Sequence, residues 1–382
     1  MTRSGMPVIA LLILAFVVTA CGDAPPPTDD APASQDPATS AAPEASEAPE
    51  ESAAASQPAT SGDGRLATVQ ERGQLICGVN GELPGFSVVG DDGDMQGFDA
   101  DFCRAVAAAV LGDAEAVEFR TLSADQRGPA LQTGEVDVLI RNTTWTVSRD
   151  TQWGLFAPTT FYDGQAIMAR ADVGATDFDD LDGATVCVQS GTTTELNLAD
   201  AEAQAGITIE ESVYAEIDPT YQAYEEGACD AVTSDRSQLV ARRTEFENPD
   251  DHVILDTVLS KEPLGPVAPL GDDEWFNIVK WTVFATIEAE ELGITSENVE
   301  DEAASNENPV VQRLLGVTPA DADPFESGLG LDPEWVVNVI SQVGNYGEIY
   351  DRNLGPGTPF ELERGLNSLW TDGGLLYAPP YR

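Results

Sequence analysis

Apolar runs of strand length alternate with stretches of helical periodicity along most of this 382-residue chain. Leu75-Ile76-Cys77-Gly78-Val79 reads as a buried strand ending in a loop, residues 80–85. Gly97-Phe98-Asp99 leads into residues 100–111, an alanine-rich helix with apolar side chains at helical spacing and Asp99 as its N-cap. Residues 117–120 predict a second strand, 127–133 a helix stopped by Gly134, and 136–140 a third strand that runs into the polar stretch 141–149. Strand, helix, strand, helix, strand in this order implies a parallel sheet covered by helices.

The pattern restarts after Tyr162-Asp163-Gly164. Residues 185–189 predict a strand, 195–205 a helix, 207–209 a strand, 221–226 a helix, 229–233 a strand and 238–244 a helix. Two successive α/β units of similar size predict two lobes. Ligands of such sheets bind beyond the carboxyl ends of the strands, so two lobes that turn those ends toward each other make an interlobe cleft.

The N-terminus follows a different rule. Arg3 supplies a positive start, and residues 8–20 form an apolar run too short for a comfortable membrane span. The run closes on Val18-Thr19-Ala20-Cys21, which resembles a bacterial lipobox, so residues 1–20 are expected to be a lipoprotein signal peptide and Cys21 the lipidated residue. Residues 22–64 hold eight prolines and nine acidic residues, with no basic or aromatic side chain. Such a stretch buries too little apolar surface to offset the entropy of ordering it, so 21–64 is expected to be a disordered tether.

Charge narrows the partners. The chain carries 67 acidic residues against 18 basic ones, a formal −49, and nucleic-acid phosphates would be repelled by such a surface. Only Lys261 and Lys280 represent lysine. The acidity reads as a solvated surface suited to a salty or mildly acidic exterior rather than as a patch for a basic partner. With Cys21 committed to lipid, Cys77, Cys103, Cys187 and Cys229 remain, at spacings unlike those of a zinc site. Four cysteines allow three pairings. Cys77–Cys103 with Cys187–Cys229 is the expected set, because each bond then lies inside one lobe and a hinge stays free to move.

Three polar clusters fall at predicted strand ends. In 142–149, Arg149 is suited to grip a carboxylate through two parallel hydrogen bonds beside a run of hydroxyls. Ser190-Gly191-Thr192-Thr193-Thr194-Glu195 is a strand-to-helix turn in which Thr192 and Glu195 fit a capping box, and its free amides favour an anion. Thr233-Ser234-Asp235 places a carboxylate just past a strand, where it suits an ammonium group. Each also has a plainer reading when taken singly: Arg149 as a surface partner of Asp150, the Ser-Gly-Thr turn as a helix cap, and Asp235 as a helix N-cap; their joint appearance at three strand ends favours a site.

Together with Gly97-Phe98-Asp99, these clusters resemble the polar amino-acid family of periplasmic-type binding proteins that serve ABC importers, and within it the general L-amino-acid binders. The matching stretches are 141–146, 188–200, 260–266 and 343–348, within a similarity running from about residue 66 to 382. The resemblance implies an α/β, two-lobed type II periplasmic-binding-protein fold, each lobe a mostly parallel sheet flanked by helices. Lobe 1 would comprise 65–163 and lobe 2 164–261, with 262–382 returning to lobe 1 as a C-terminal helical extension. Two hinge crossings would fall near 162–165 and 259–266, and 335–350 would form one helix.

It also implies roles. Arg149, Thr144 and Thr193 would hold the ligand carboxylate, and Asp235, Asn142 and Thr144 its ammonium. Asn80 and Leu83 in the first loop, with Arg141, Gln189 and Ser234, would shape the side-chain pocket. No cofactor, metal or catalytic residue is implied. The expected partners are free L-amino acids, the permease subunits of an ABC importer, and the membrane through the lipid on Cys21; an extracytoplasmic monomer is expected.

Two rival functions share the fold. A cyclohexadienyl dehydratase would need a proton-donating acid over the ligand, and Glu82 is the one acid expected near the cleft. An amino-acid sensor would use the same site as a transport protein. His252, the sole histidine, is expected at the surface beside Asp250 and Asp251, and no Ser-His-Asp set or phosphate loop is present.

Overall fold

The structure, a computed structural model, describes residues 64–319 and 323–382. The expected signal peptide, Cys21 and all of the expected tether except Gly64 lie outside the described residues.

Helix α1 (Arg65–Arg72) buries Leu66 and Val69 and leads into β1 (Leu75–Val79). A small antiparallel sheet follows, β2 (Glu82–Leu83), β3 (Ser87–Val89) and β4 (Met95–Gln96). Then come α2 (Phe98–Leu111), β5 (Val117–Thr121), α3 (Arg127–Thr133), β6 (Val138–Leu139), α4 (Val147–Gln152) and β7 (Gly154–Phe156). Strand β8 (Phe161–Arg170) carries the chain into a second sheet with β9 (Thr185–Gln189), α5 (Thr193–Ala205), β10 (Glu210–Tyr214), α6 (Ile217–Glu225), β11 (Ala231–Asp235), α7 (Arg236–Arg243) and β12 (His252–Ile254). Strand β13 (Ser260–Leu264) leaves that sheet and β14 (Val267–Pro269) rejoins the first. Helices α8 (Asp273–Glu291), α9 (Val299–Ser305), α10 (Pro309–Leu314), α11 (Trp335–Gln342) and α12 (Tyr346–Asn353) finish the described fold.

The first sheet has the order β5-β1-β6-β14-β7, with β1 parallel to β5 and β6. The second has the order β10-β9-β11-β8-β12, with β9 parallel to β10 and β11. The chain enters the second lobe and returns to the first through antiparallel members: β8 runs against β11, and β14 runs against β6. Between the sheets, β8 and β13 form a two-stranded ribbon, Phe161 opposite Leu264 through Gln165 opposite Ser260. The protein is thus a two-lobed α/β fold. The carboxyl ends of β6, β9 and β11 lead into residues 140–146, 190–192 and 236, which converge on the site.

Both lobes have their own cores. In the first, Phe98 sits among Phe86, Phe102, Phe161, Tyr346 and Tyr350 in edge-on contacts, so the C-terminal helix α12 is part of the core. Such aromatic pairs add roughly 0.5–1.5 kcal/mol each beyond the area they bury. The disulfide Cys77–Cys103 ties β1 to α2, and Cys187–Cys229 ties β9 to the turn before β11. Each stays within one lobe.

Several local expectations are corrected. Asp99 does not cap α2: the helix starts two residues earlier with Gly97 as its N-cap, and Asp99 Oδ2 accepts from the Asn142 amide at 2.7 Å. Gly97 is required there, since at φ 128° a Cβ would lie 2.3 Å from the Phe86 carbonyl. The strand expected at 207–209 is displaced to Glu210–Tyr214, because the ladder begins where Glu210 donates to the Ala184 carbonyl. The single helix expected over 335–350 is two, broken at Gly344 (φ 102°) and restarted by a capping box between Asn345 and Glu348. His252 is buried rather than exposed: its Nδ1 lies 2.8 Å from the Tyr224 hydroxyl and its ring packs on Phe246, which holds its pKa below the usual histidine value.

Candidate functional site

The loop after β6 enters the site under constraint. Asn142 has φ 27°, unusual for a residue with a side chain. It is pinned on three sides: its amide by Asp99, its Oδ1 by Asn80 Nδ2 at 3.2 Å, and its Nδ2 by Gln238 Oε1 at 3.3 Å in the opposite lobe. Held strain of this kind is maintained only where the surroundings over-determine it. Two residues on, Thr144 Oγ1 faces Thr193 Oγ1 across the cleft at 3.3 Å.

Arg149 lies in the first turns of α4, whose N-cap Thr146 accepts from the Arg149 amide. Its side chain turns back, donating from Nη1 to the Thr144 carbonyl (3.1 Å) and from Nη2 to the Gly191 carbonyl (3.5 Å), with its face over Trp153 at 4.9 Å. The Gly191 carbonyl also accepts from Arg127 Nη2 at 3.0 Å. That turn demands glycine: Gly191 has φ 71°, and a Cβ would fall 1.9 Å from Asp125 Oδ1. Thr192 then caps α5 by accepting from the Glu195 amide, while the Glu195 carboxylate reaches Gly191 instead of closing the expected box. Thr193, the first residue of α5, donates to Glu262 Oε2 at 2.9 Å.

Asp235 ends β11 and stands at the N-cap of α7, but its side chain caps nothing. Burial, with Asp163 and Glu262 nearby, pushes its carboxyl well above the usual range, while Arg149 and Arg127 pull it down. Asp163 is itself pushed up to about 6 by burial, opposed by hydrogen bonds from Ser237 and Gly164. This acidic end sits beside the ribbon.

Of the residues expected at a site, Arg141, Asn142, Thr144, Arg149, Gln189, Thr193, Ser234 and Asp235 line one enclosed cavity of about 20 Å³ between the lobes. Asn80 stands one layer behind, bonded to Asn142. Leu83 is fully buried in the first lobe's core and does not line this cavity. Arg127, Thr192, Thr194 and Gln238 line the cavity without having been singled out. Arg127 had a signal, since it opens a helix after a strand just as Thr193 does.

The cavity's electrostatics are set by three arginines. Arg127, Arg141 and Arg149 are 3%, 4% and 7% exposed. Among the described residues, none of them forms an ion pair. Burial lowers the pKa of all three, Arg141 to about 10. A cluster of buried guanidinium groups opposite one carboxylate is built to hold an anion with a cation attached.

Residues 75–298 match the bacterial extracellular solute-binding proteins, family 3. The general L-amino acid-binding periplasmic protein AapJ of Rhizobium johnstonii is 48% identical over 319 residues, covering 83% of this chain and 92% of AapJ. The glutamate/glutamine/aspartate/asparagine-binding protein BztA of Rhodobacter capsulatus is 47% identical over 318 residues, covering 83% and 93%. Among solved structures, an ABC transporter periplasmic binding protein from Brucella ovis with glutathione bound is 49% identical, with a TM-score of 0.80 over 83% of this chain and 99% of that one.

Proposed function

Because the chain belongs to the bacterial extracellular solute-binding proteins of family 3, we propose that it captures free L-amino acids between its lobes and delivers them to an ABC importer. The observation that carries this reading is the meeting of Arg149 and Thr144 of one lobe with Thr193 and Asp235 of the other around one cavity. The names of AapJ and BztA support the ligand class.

In this reading the ligand carboxylate takes the two donors Arg149 now gives to the Thr144 and Gly191 carbonyls, together with the amide and hydroxyl of Thr193 at the start of α5. The ammonium sits against Asp235, with Thr144 and the strained Asn142 beside it. An amino acid is larger than the cavity, so entry requires the lobes to separate and breaks the Thr144–Thr193 and Asn142–Gln238 contacts. The β8–β13 ribbon is the pivot. A ligand that touches both lobes then biases the equilibrium toward closure by its differential affinity for the closed form.

The protein acts outside the cytoplasm, anchored through a lipid on Cys21 and held off the membrane by residues 21–64, and works as a monomer. It is a binder rather than an enzyme. Glu82, the acid a dehydratase would need, lines a wider outer cleft of about 500 Å³ with Asp218 and Arg242 and does not line the inner cavity.

A thermal-shift panel of the twenty L-amino acids tests this. Ligand at about 1,000 times its Kd adds roughly 4 kcal/mol of stability, and several L-amino acids should each raise Tm while their D-enantiomers do not. No shift with any of them would remove the assignment.

A further inference from the structure

A zwitterionic amino acid presents one carboxylate and one ammonium. Arg149 and Asp235 answer those two charges, yet the same cavity holds Arg141 as well, 4% exposed and on its wall. Among the described residues, the only hydrogen bond of its guanidinium runs from Nε to the Leu122 carbonyl at 2.7 Å. Neither terminal nitrogen has a protein partner. The nearest buried acid, Asp99, has given an oxygen to the Asn142 amide and makes no ion pair with Arg141. A guanidinium held by its stem on the cavity wall, with both terminal nitrogens free of protein partners, is matched in geometry by a carboxylate.

We infer that Arg141 is a second carboxylate-recognition subsite, which selects L-amino acids whose side chains end in a carboxylate over neutral and cationic ones. The inference rests on the amino-acid reading above and deepens it. Placement supports the assignment. The charges felt by Arg141 are Asp99, Arg149, Glu82 and Glu216, whereas Asp235 acts on Arg149 and Arg127. Arg141 is held to the Leu122 carbonyl of the first lobe, whereas Asp235 ends β11 of the second. Arg127, buried near Arg141 and stacked over Trp153 at 5.6 Å, adds a third positive charge and, among the described residues, forms no ion pair, although Asp235 and Asp125 act on it from a distance. Glu82 and Glu216 lie outside the cavity wall. A neutral ligand leaves Arg141 buried and unpaired, which is unfavourable. A second carboxylate satisfies it, and a cationic side chain meets repulsion from two arginines.

The test is calorimetric titration of the purified full-length chain with L-glutamate, L-glutamine, L-alanine and L-lysine, for the wild type, Arg141→Gln, Arg141→Lys and Arg149→Ala. Wild type should bind glutamate at least tenfold more tightly than glutamine and lysine most weakly. Arg141→Gln should abolish the glutamate preference, read as the ratio of the glutamine and glutamate Kd values, and Arg141→Lys should restore part of it. Three results would each overturn the inference: equal wild-type affinity for glutamate and glutamine, lysine binding as tightly as glutamate, or Arg141→Gln weakening all four ligands alike. Failure of the underlying reading looks different, because wild type would then bind none of the four. Melting of each variant without ligand verifies that the fold is retained.

Discussion

Arg149 is buried, bonded to two carbonyl oxygens and without a carboxylate partner, so Arg149→Ala should separate binding from folding. In the free protein the substitution removes two hydrogen bonds from a charged donor, one of them long, each contributing at most about 1.5–3 kcal/mol. It also removes a buried, unpaired guanidinium, whose desolvation penalty is several kcal/mol. The two nearly cancel, and stability should change by about 1 kcal/mol or less. Binding has no such compensation. The ligand carboxylate would be desolvated without its charged partner, a loss of about 2–5 kcal/mol. At about 1.4 kcal/mol per tenfold, affinity should fall roughly 30- to 4,000-fold. Arg149→Lys keeps the charge without the two-pronged geometry and should fall between. Calorimetric Kd values for one neutral amino acid, set beside denaturant unfolding without ligand, give both quantities. A variant that loses several kcal/mol of stability yet binds normally when folded would refute the reasoning and make Arg149 a structural residue.

Other consequences follow from charge and from covalent geometry. Burial holds the Asp235 carboxyl well above the usual range in the free protein, whereas a bound ammonium favours the carboxylate. Binding should therefore release a proton, and affinity should fall as pH drops through that raised pKa, by up to about tenfold per unit. Titration in buffers of different ionisation enthalpy reads the proton directly, and affinity that stays flat from pH 8 to 5 with no buffer-dependent heat would contradict it. The Cys187–Cys229 bond closes 42 residues within the second lobe, so Cys187→Ser with Cys229→Ser should lower stability by about 2–5 kcal/mol. Ligand affinity of the folded fraction should hold, because neither sulfur lines the cavity; a loss in binding larger than the loss in stability would count against that separation.

Legibility in the sequence tracked how local each feature is. Strands β1 and β9 and helix α3 coincide with their expected bounds, because the strands are central apolar runs and the helix ends at a glycine in the left-handed region. Apolar pattern alone sets strand β10 too early because it is an edge: its residues are exposed or half-buried, and its register comes from β9. The break between α11 and α12 was written in Gly344, Asn345 and Glu348, but the apolar spacing on either side outweighed it. His252 looked exposed beside Asp250 and Asp251, and only the fold brings Tyr224 and Phe246 onto it. The polar clusters at 142–149, 190–195 and 233–235 were visible as strand ends. Arg127 shows in the sequence only as a residue opening a helix after a strand, because the carbonyl that gives it meaning is 64 residues away.

The central claim is that an L-amino acid sits between the lobes, with its carboxylate at Arg149 and Thr193 and its ammonium at Asp235. A crystal structure of the protein with L-glutamine tests it most directly. The account predicts ligand oxygens within hydrogen-bond distance of the Arg149 guanidinium and the Thr193 amide, the ammonium on Asp235, and the Thr144–Thr193 contact replaced by ligand. Glutamine found instead in the outer cleft between Glu82 and Asp218, with Arg149 still bonded to the Thr144 and Gly191 carbonyls, would contradict it.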